Sequence, residues 1–124
     1  MRLRIGRIVL AAIATEVFAV LVLVLLIATV GPRDAEGAQV FAERLGYWVG
    51  PLAGFGFCAL GGAWVARGLA SDHVANGFGL GVAAAAVDIG ILVLGGAAFQ
   101  PIFVVSNLGR VAAGSLGGWF AGRT

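Results

Sequence analysis

The sequence predicts an all-α fold, an integral membrane bundle of four transmembrane helices built as two similar hairpins. Three observations predict it. Hydrophobic residues make up 60% of the 124 and charged residues only 11%, against about 25% charged in soluble domains. The mean hydropathy is +1.03. The apolar residues gather in four runs, 8–30, 48–66, 77–98 and 101–121, each close to the roughly 20 residues that cross the hydrocarbon as a helix. A soluble domain of this size has too little interior to hide so many apolar side chains. Lipid is the expected solvent for much of the surface.

The first run follows Arg2, Arg4 and Arg7 and carries Glu16 near its middle. It exceeds the roughly 7–15 apolar residues of a signal-peptide core, so it reads as an uncleaved first span. Gly31-Pro32 ends it. Residues 31–47 form the one long polar segment and are expected as an external loop. Val40, Phe41 and Leu45 within it fit a short interfacial helix or an outward extension of the second span. The second run has no charge. Residues 67–76 join it to the third and place His73 in a solvated loop. The third run carries Asp88. A tight turn at Phe99-Gln100-Pro101 leads into the fourth, which carries Arg110.

Arginine placement sets the orientation. All eight basic residues are arginine. Arg2, Arg4, Arg7, Arg67 and Arg123 fall at one end; Arg33 and Arg44 fall at the other, beside Asp34, Glu36 and Glu43. The end richer in arginine is expected in the cytoplasm, with both termini, and the compartment is expected to be a bacterial inner membrane. Trp64 and Trp119 then lie near the inner interface, Tyr47 and Trp48 near the outer one, as an aromatic belt requires. The high pI is thereby a topology signal and not the footprint of nucleic acid.

Several chemistries are excluded. Cys58 is the sole cysteine and His73 the sole histidine, so neither a disulfide within the chain nor a zinc site is expected. No metalloprotease, nucleophile-elbow or P-loop pattern occurs. The expectation is a protein that is not an enzyme and needs no cofactor and no metal.

The chain carries an internal repeat. Leu60-Gly61-Gly62, followed by Trp64 and Arg67, matches Leu116-Gly117-Gly118, followed by Trp119 and Arg123. Ala14-Thr15-Glu16-Val17 matches Ala86-Val87-Asp88-Ile89, with one acid in mid-span each time. Two hairpins of one design, both pointing the same way, would be related by an axis along the membrane normal. Small residues recur every fourth position: Gly50, Gly54, Cys58, Gly62 and Ala66 in the second run, and Gly77, Gly81 and Ala85 in the third. The fourth run has two such rows: Gly109, Ala113, Gly117 and Ala121, and Ser106, Gly114, Gly118 and Gly122, the row on which Arg110 lies. In lipid, helices associate where small side chains let backbones approach. Gly50, Gly54, Gly62, Gly81, Gly114 and Gly118 are therefore expected to pack helix on helix. The Leu- and Val-rich 20–26 segment is expected to face lipid.

Chemistry is suggested only by the charges at mid-membrane. An ionised side chain there costs roughly 2.5–3.5 kcal/mol on insertion scales, so it persists when paired, neutralised or hydrated. Asp88 and Arg110 lie almost equally far before and after the turn at Gln100, which predicts an Asp88–Arg110 ion pair. Glu16 gains no partner by this reckoning and is expected to exchange protons. Ser106 and Asn107, within a turn of Arg110, complete the expected polar cluster.

Two resemblances follow from these residues. The signatures GGAWVAR and GGWFAGR at the hairpin ends resemble small four-helix bacterial membrane proteins that carry no assigned activity. Separately, the chain length and the acid in Ala14-Thr15-Glu16-Val17 resemble the small multidrug resistance transporters. That likeness implies a first-helix glutamate, here Glu16, that binds protons and cationic substrates in an antiparallel dimer. Asp88, Arg110 and the arginine bias depart from that design. Two functions remain open: proton- or ion-linked transport of a small solute through Glu16, Asp88 and Arg110, or an accessory membrane subunit whose buried charges hold its own helices or a partner's. Either is expected to sit in the lipid bilayer as a homo-oligomer or beside a partner membrane protein.

Overall fold

A computed structural model describes residues 1–124. It contains four helices and no strand: α1 (Ile5–Val30), α2 (Ala35–Ala66), α3 (His73–Leu94) and α4 (Pro101–Arg123). The first three are long and apolar enough to cross a membrane. α4 is long enough, but Ser106, Asn107, Arg110, Ser115 and its glycines dilute its apolar character.

From Ala35 onward the polar segment expected as an external loop is helical, the outward extension of the second span that Val40, Phe41 and Leu45 allowed. α2 begins at Ala35 and runs for 32 residues, about 48 Å at 1.5 Å per residue. Local chemistry explains the start. The Asp34 carboxylate accepts the Gly37 N–H at 2.7 Å, and Glu36 occupies the first turn, where the helix dipole favours an acid. Ala38, Ala42, Glu43, Arg44 and Leu45 are good helix formers and carry the helix onward. α3 likewise starts earlier than expected. His73 is its first residue, not a loop residue, and its Nε2 meets the Leu69 carbonyl at 2.9 Å. α3 ends at Leu94 rather than 98, because Gly95 caps it and Gly96 takes a positive φ of 68°. Pro101 opens α4, where its missing N–H costs nothing.

The bundle is a four-cornered array. α2 and α4 run parallel, α3 and α4 antiparallel, and α1 packs on α2 and α3. α1 and α4 occupy opposite corners without backbone approach. A strict two-fold between the hairpins would make the α1–α4 and α2–α3 pairs equivalent. α2 and α3 pack directly and α1 and α4 do not, so the repeat does not extend to the helix contacts.

The interior is rich in small residues, around the larger Ile8, Val65 and Leu80, and most large apolar side chains lie on the exterior. Ala11, Ala12, Cys58, Ala66, Ala84 and Ala85 are buried, whereas Leu60, Leu108 and Phe120 are 69%, 66% and 60% exposed. That inversion is what an apolar solvent allows. Four of the glycines singled out by spacing lie against backbone: Gly62 on the Gly114 carbonyl, Gly114 on Gly77 and Gly81, Gly81 on Arg110 and Val111, and Gly118 on His73 and Gly77. Gly50 instead has only the tip of Leu23 nearby, and Gly54 faces a side chain.

Close packing is confined to one half of the bundle. The buried residues of α1 stop at Ala19, those of α3 at Ala85, and those of α4 begin at Ser106. The packed end is tied further by the chain's first residues. Asn76 is fully buried. Its Nδ2 donates to the Arg2 carbonyl, and its Oδ1 accepts the Arg4 N–H, each at 2.9 Å. Arg4 Nη1 donates to the Arg67 carbonyl at 2.9 Å. The Arg2 N–H donates to Asp72, which holds that exposed carboxyl below the ordinary aspartate range. Asn76→Ala is expected to cost about 1–3 kcal/mol, because it strands two backbone groups. Hydrogen exchange at the Arg4 amide should rise to the rate of an unstructured segment. Unchanged protection there would show that the segment is held by other contacts.

Candidate functional site

The close-packed half ends at one layer of polar side chains, and the rows of small residues explain its position. Arg110 lies on the same four-residue row as Gly114 and Gly118, so it points into the bundle. It is 3% exposed. The facing residue on α2 is Gly54, where an added Cβ would lie 2.8 Å from both Cζ and Nη2 of Arg110. The missing side chain lets the guanidinium cross α2 and reach α1 at the opposite corner. Gly54 thus makes room for a charge and not for a helix backbone. The repeat aligns Gly54 with Arg110, so the sequence held the signal without showing its use.

Glu16 is the principal partner. Arg110 Nε donates to Glu16 Oε1 at 2.7 Å and Nη2 to Oε2 at 3.3 Å. Both side chains are 4% exposed. Nη2 also donates to Asp88 Oδ1 at the longer distance of 3.4 Å, and Asp88 is 18% exposed. Nη1 donates to Ser106 Oγ. Asn107 Nδ2 donates to Asp88 Oδ2 at 3.0 Å and to the Phe103 carbonyl at 2.8 Å. The five expected residues therefore come together. The expected Asp88–Arg110 pair is present at 3.4 Å. Glu16, expected without a partner, holds the arginine more closely by two hydrogen bonds, and Asp88 is the more accessible acid. Depth along the helices placed all three charges in one layer, but depth carries no information about which face each one occupies.

Every carboxylate oxygen in the layer accepts a hydrogen bond from a cationic or amide donor. That pattern suits two ionised acids. With both acids ionised and one guanidinium between them, the layer would carry one uncompensated negative charge. Buried charges persist when paired and hydrogen-bonded, and an unmatched one calls for a further cation, a proton or water.

A route to the layer exists. A cleft of about 510 Å³ lies among the outer halves of all four helices. Glu16, Asp88, Ser106 and Arg110 line its floor, and Glu43, Tyr47 and Gln100 stand near its rim. It lies toward the end opposite Arg2, Arg4, Arg67 and Arg123. Gly50 and Pro51 contribute to its wall, so Gly50 widens the cleft where helix packing was expected. No three His, Cys, Asp or Glu residues are grouped to hold a metal. No protein-family model, curated protein or solved structure matches the chain. A functional reading therefore stands on this geometry.

Proposed function

We propose that the chain is a small multi-pass protein of the bacterial inner membrane, with four spans and cytoplasmic termini, that carries protons or an ion together with a small solute. The observation that carries the reading is the cleft that leads from one end of the bundle to Glu16, Asp88 and Arg110. α4 serves as the fourth span because its polar residues Ser106 and Arg110 are buried while Val105, Leu108, Leu116 and Phe120 face outward. Asp88 is the acid that an arriving cation or proton meets, since it is the more exposed of the two. Neutralising it weakens its hold on Arg110 and leaves the guanidinium to Glu16. Glu16 is also the residue that resembles the proton-binding glutamate of the small multidrug resistance transporters. Here it is tied to an arginine, which sets the proposed mechanism apart.

A second reading has its own support. Glu16 and Arg110 are almost fully buried and satisfy one another, as a clasp that fixes helix register would. This is the accessory-subunit alternative. Proteoliposomes holding a pH-sensitive dye separate the two. Under an imposed proton gradient the wild type should equilibrate the lumen faster than protein-free vesicles. Glu16→Gln and Asp88→Asn should each slow this by about a hundredfold or more, the loss typical of a group that handles the proton itself, while circular dichroism stays unchanged. No flux from the wild type, with the variants altering assembly alone, would leave the clasp.

A further inference from the structure

The α3–α4 pair is closed along one half and open along the other. Gly77 and Gly81 meet Gly114 and Gly118 backbone to backbone. The hydrogen bond from Asn107 to Asp88 lies at the end of that contact. Beyond it, Ile89 and Val93 of α3 and Phe103 and Val104 of α4 are too bulky for the helices to close. They leave an apolar groove of about 490 Å³. Groove and cleft share Leu92, Ala97 and Phe103 as wall residues. Three side chains therefore separate the lipid-facing groove from the polar floor. The Asp88–Asn107 bond spans this partition, with Asp88 lining the cleft and Asn107 lining the groove.

Asn107 carries an unmet demand. Its Nδ2 serves two acceptors, and no protein donor reaches its buried Oδ1. An amide oxygen without a donor is costly in apolar surroundings. With both acids ionised, the same place carries the excess negative charge of the two acids on one arginine. Amide oxygen and carboxylate together select a head group that is cationic and has N–H donors. The groove selects a single alkyl chain attached to it.

We propose that the α3–α4 groove binds a single-chain amphiphile with a primary ammonium head and passes that head to Asp88 through the Leu92–Phe103 partition. The solute then reaches the cleft sideways from the lipid as well as from the water. This inference rests on reading the cleft as a solute site. Asn107 Oδ1 is sealed from solvent and Asp88 lines the other side of the partition, so the head reaches both only as the Leu92–Phe103 partition parts. A primary ammonium can then donate to the two together. A trimethylammonium head has the charge but no donor, and a sulfate head is repelled.

The test uses the full chain in phosphatidylcholine nanodiscs, whose lipid carries no primary amine. Saturable binding of radiolabelled dodecylamine is measured, with protein-free discs subtracted. Dodecyltrimethylammonium and dodecyl sulfate serve as competitors. Dodecylamine should bind at least about tenfold more tightly than its trimethyl analogue, the difference expected from hydrogen bonds to a charged head. Asn107→Leu should erase that preference, and Asp88→Asn should remove most of the binding. Equal affinity for the two cations in the wild type, or no saturable binding, overturns the proposal without recourse to any variant. Selective amine binding without proton flux would end the transport reading and leave the lateral site standing. Proton flux with no head-group preference would do the opposite.

Discussion

Gly114→Leu should abolish the bundle's close-packed half. A Cβ at this position would overlap the Gly77 carbonyl and lie 3.0 Å from the Gly81 nitrogen and 3.1 Å from its Cα. These neighbours are backbone atoms of a continuous helix and cannot rotate away. Gly62 of α2 lies on the Gly114 carbonyl from another side, so α4 has no direction in which to retreat without leaving α2 or α3. Overpacking by a few methylenes costs about 1–3 kcal/mol where side chains can yield. Here a loss at the upper end of that range, at least about 3 kcal/mol, is expected. Titration from a mild detergent into dodecyl sulfate, followed by circular dichroism, reads the loss directly. Gly56→Leu is the control, because nothing lies within 4 Å of a Cβ built there. It should stay within about 0.5 kcal/mol of the wild type. Similar midpoints for the two variants would mean that α4 does not pack through its glycine row.

The same glycine row was readable in the sequence, because a four-residue period of small side chains lets helices approach closely in lipid. The same period in α2 also holds Gly50 and Gly54, however, which serve the cleft and the guanidinium instead. Helix number and the hairpin turns were readable for a similar reason: length, Gly-Pro breaks and apolar runs are properties of single segments. The extension of α2 through residues 35–47 was readable only as one of several alternatives. Its polar composition argued for a loop, while the Asp34 cap and the alanine-rich start argued for a helix, and the cap prevailed. Of the two partners of Arg110, Asp88 was readable from the hairpin, but Glu16 was not. Asp88 is the neighbour of Arg110 along the hairpin, yet Glu16 on the far corner takes the closer contact, because Gly54 opens a path across α2. That choice depends on how three helices rotate about their own axes. The cleft has a partial signal: the bulky Val20–Leu26 stretch denies α1 the small residues it would need to close the outer half.

Arg110→Leu should be the most damaging change to the polar layer. The guanidinium alone separates Glu16 from Asp88 and supplies three of the four hydrogen bonds to their oxygens. Its removal leaves two acids facing each other in a site where Glu16 is 3% exposed. Removing one partner of a buried ion pair typically costs about 3–5 kcal/mol, most of it the burden of the charge left behind. A chain of this size has little more than that to lose, so the single variant should accumulate poorly and unfold early in the detergent titration. The triple variant Glu16→Gln, Asp88→Asn, Arg110→Leu removes the unpaired charge along with the pair. It should recover most of the lost stability, since neutral replacements for a buried ionic group are often close to neutral overall. A recovered fold that no longer moves protons would mean that the ions are kept for what they carry, not for the helices they hold. A triple variant as unstable as the single one would show instead that helix register depends on the ionic contact between α1 and α4, which have no other direct approach to one another.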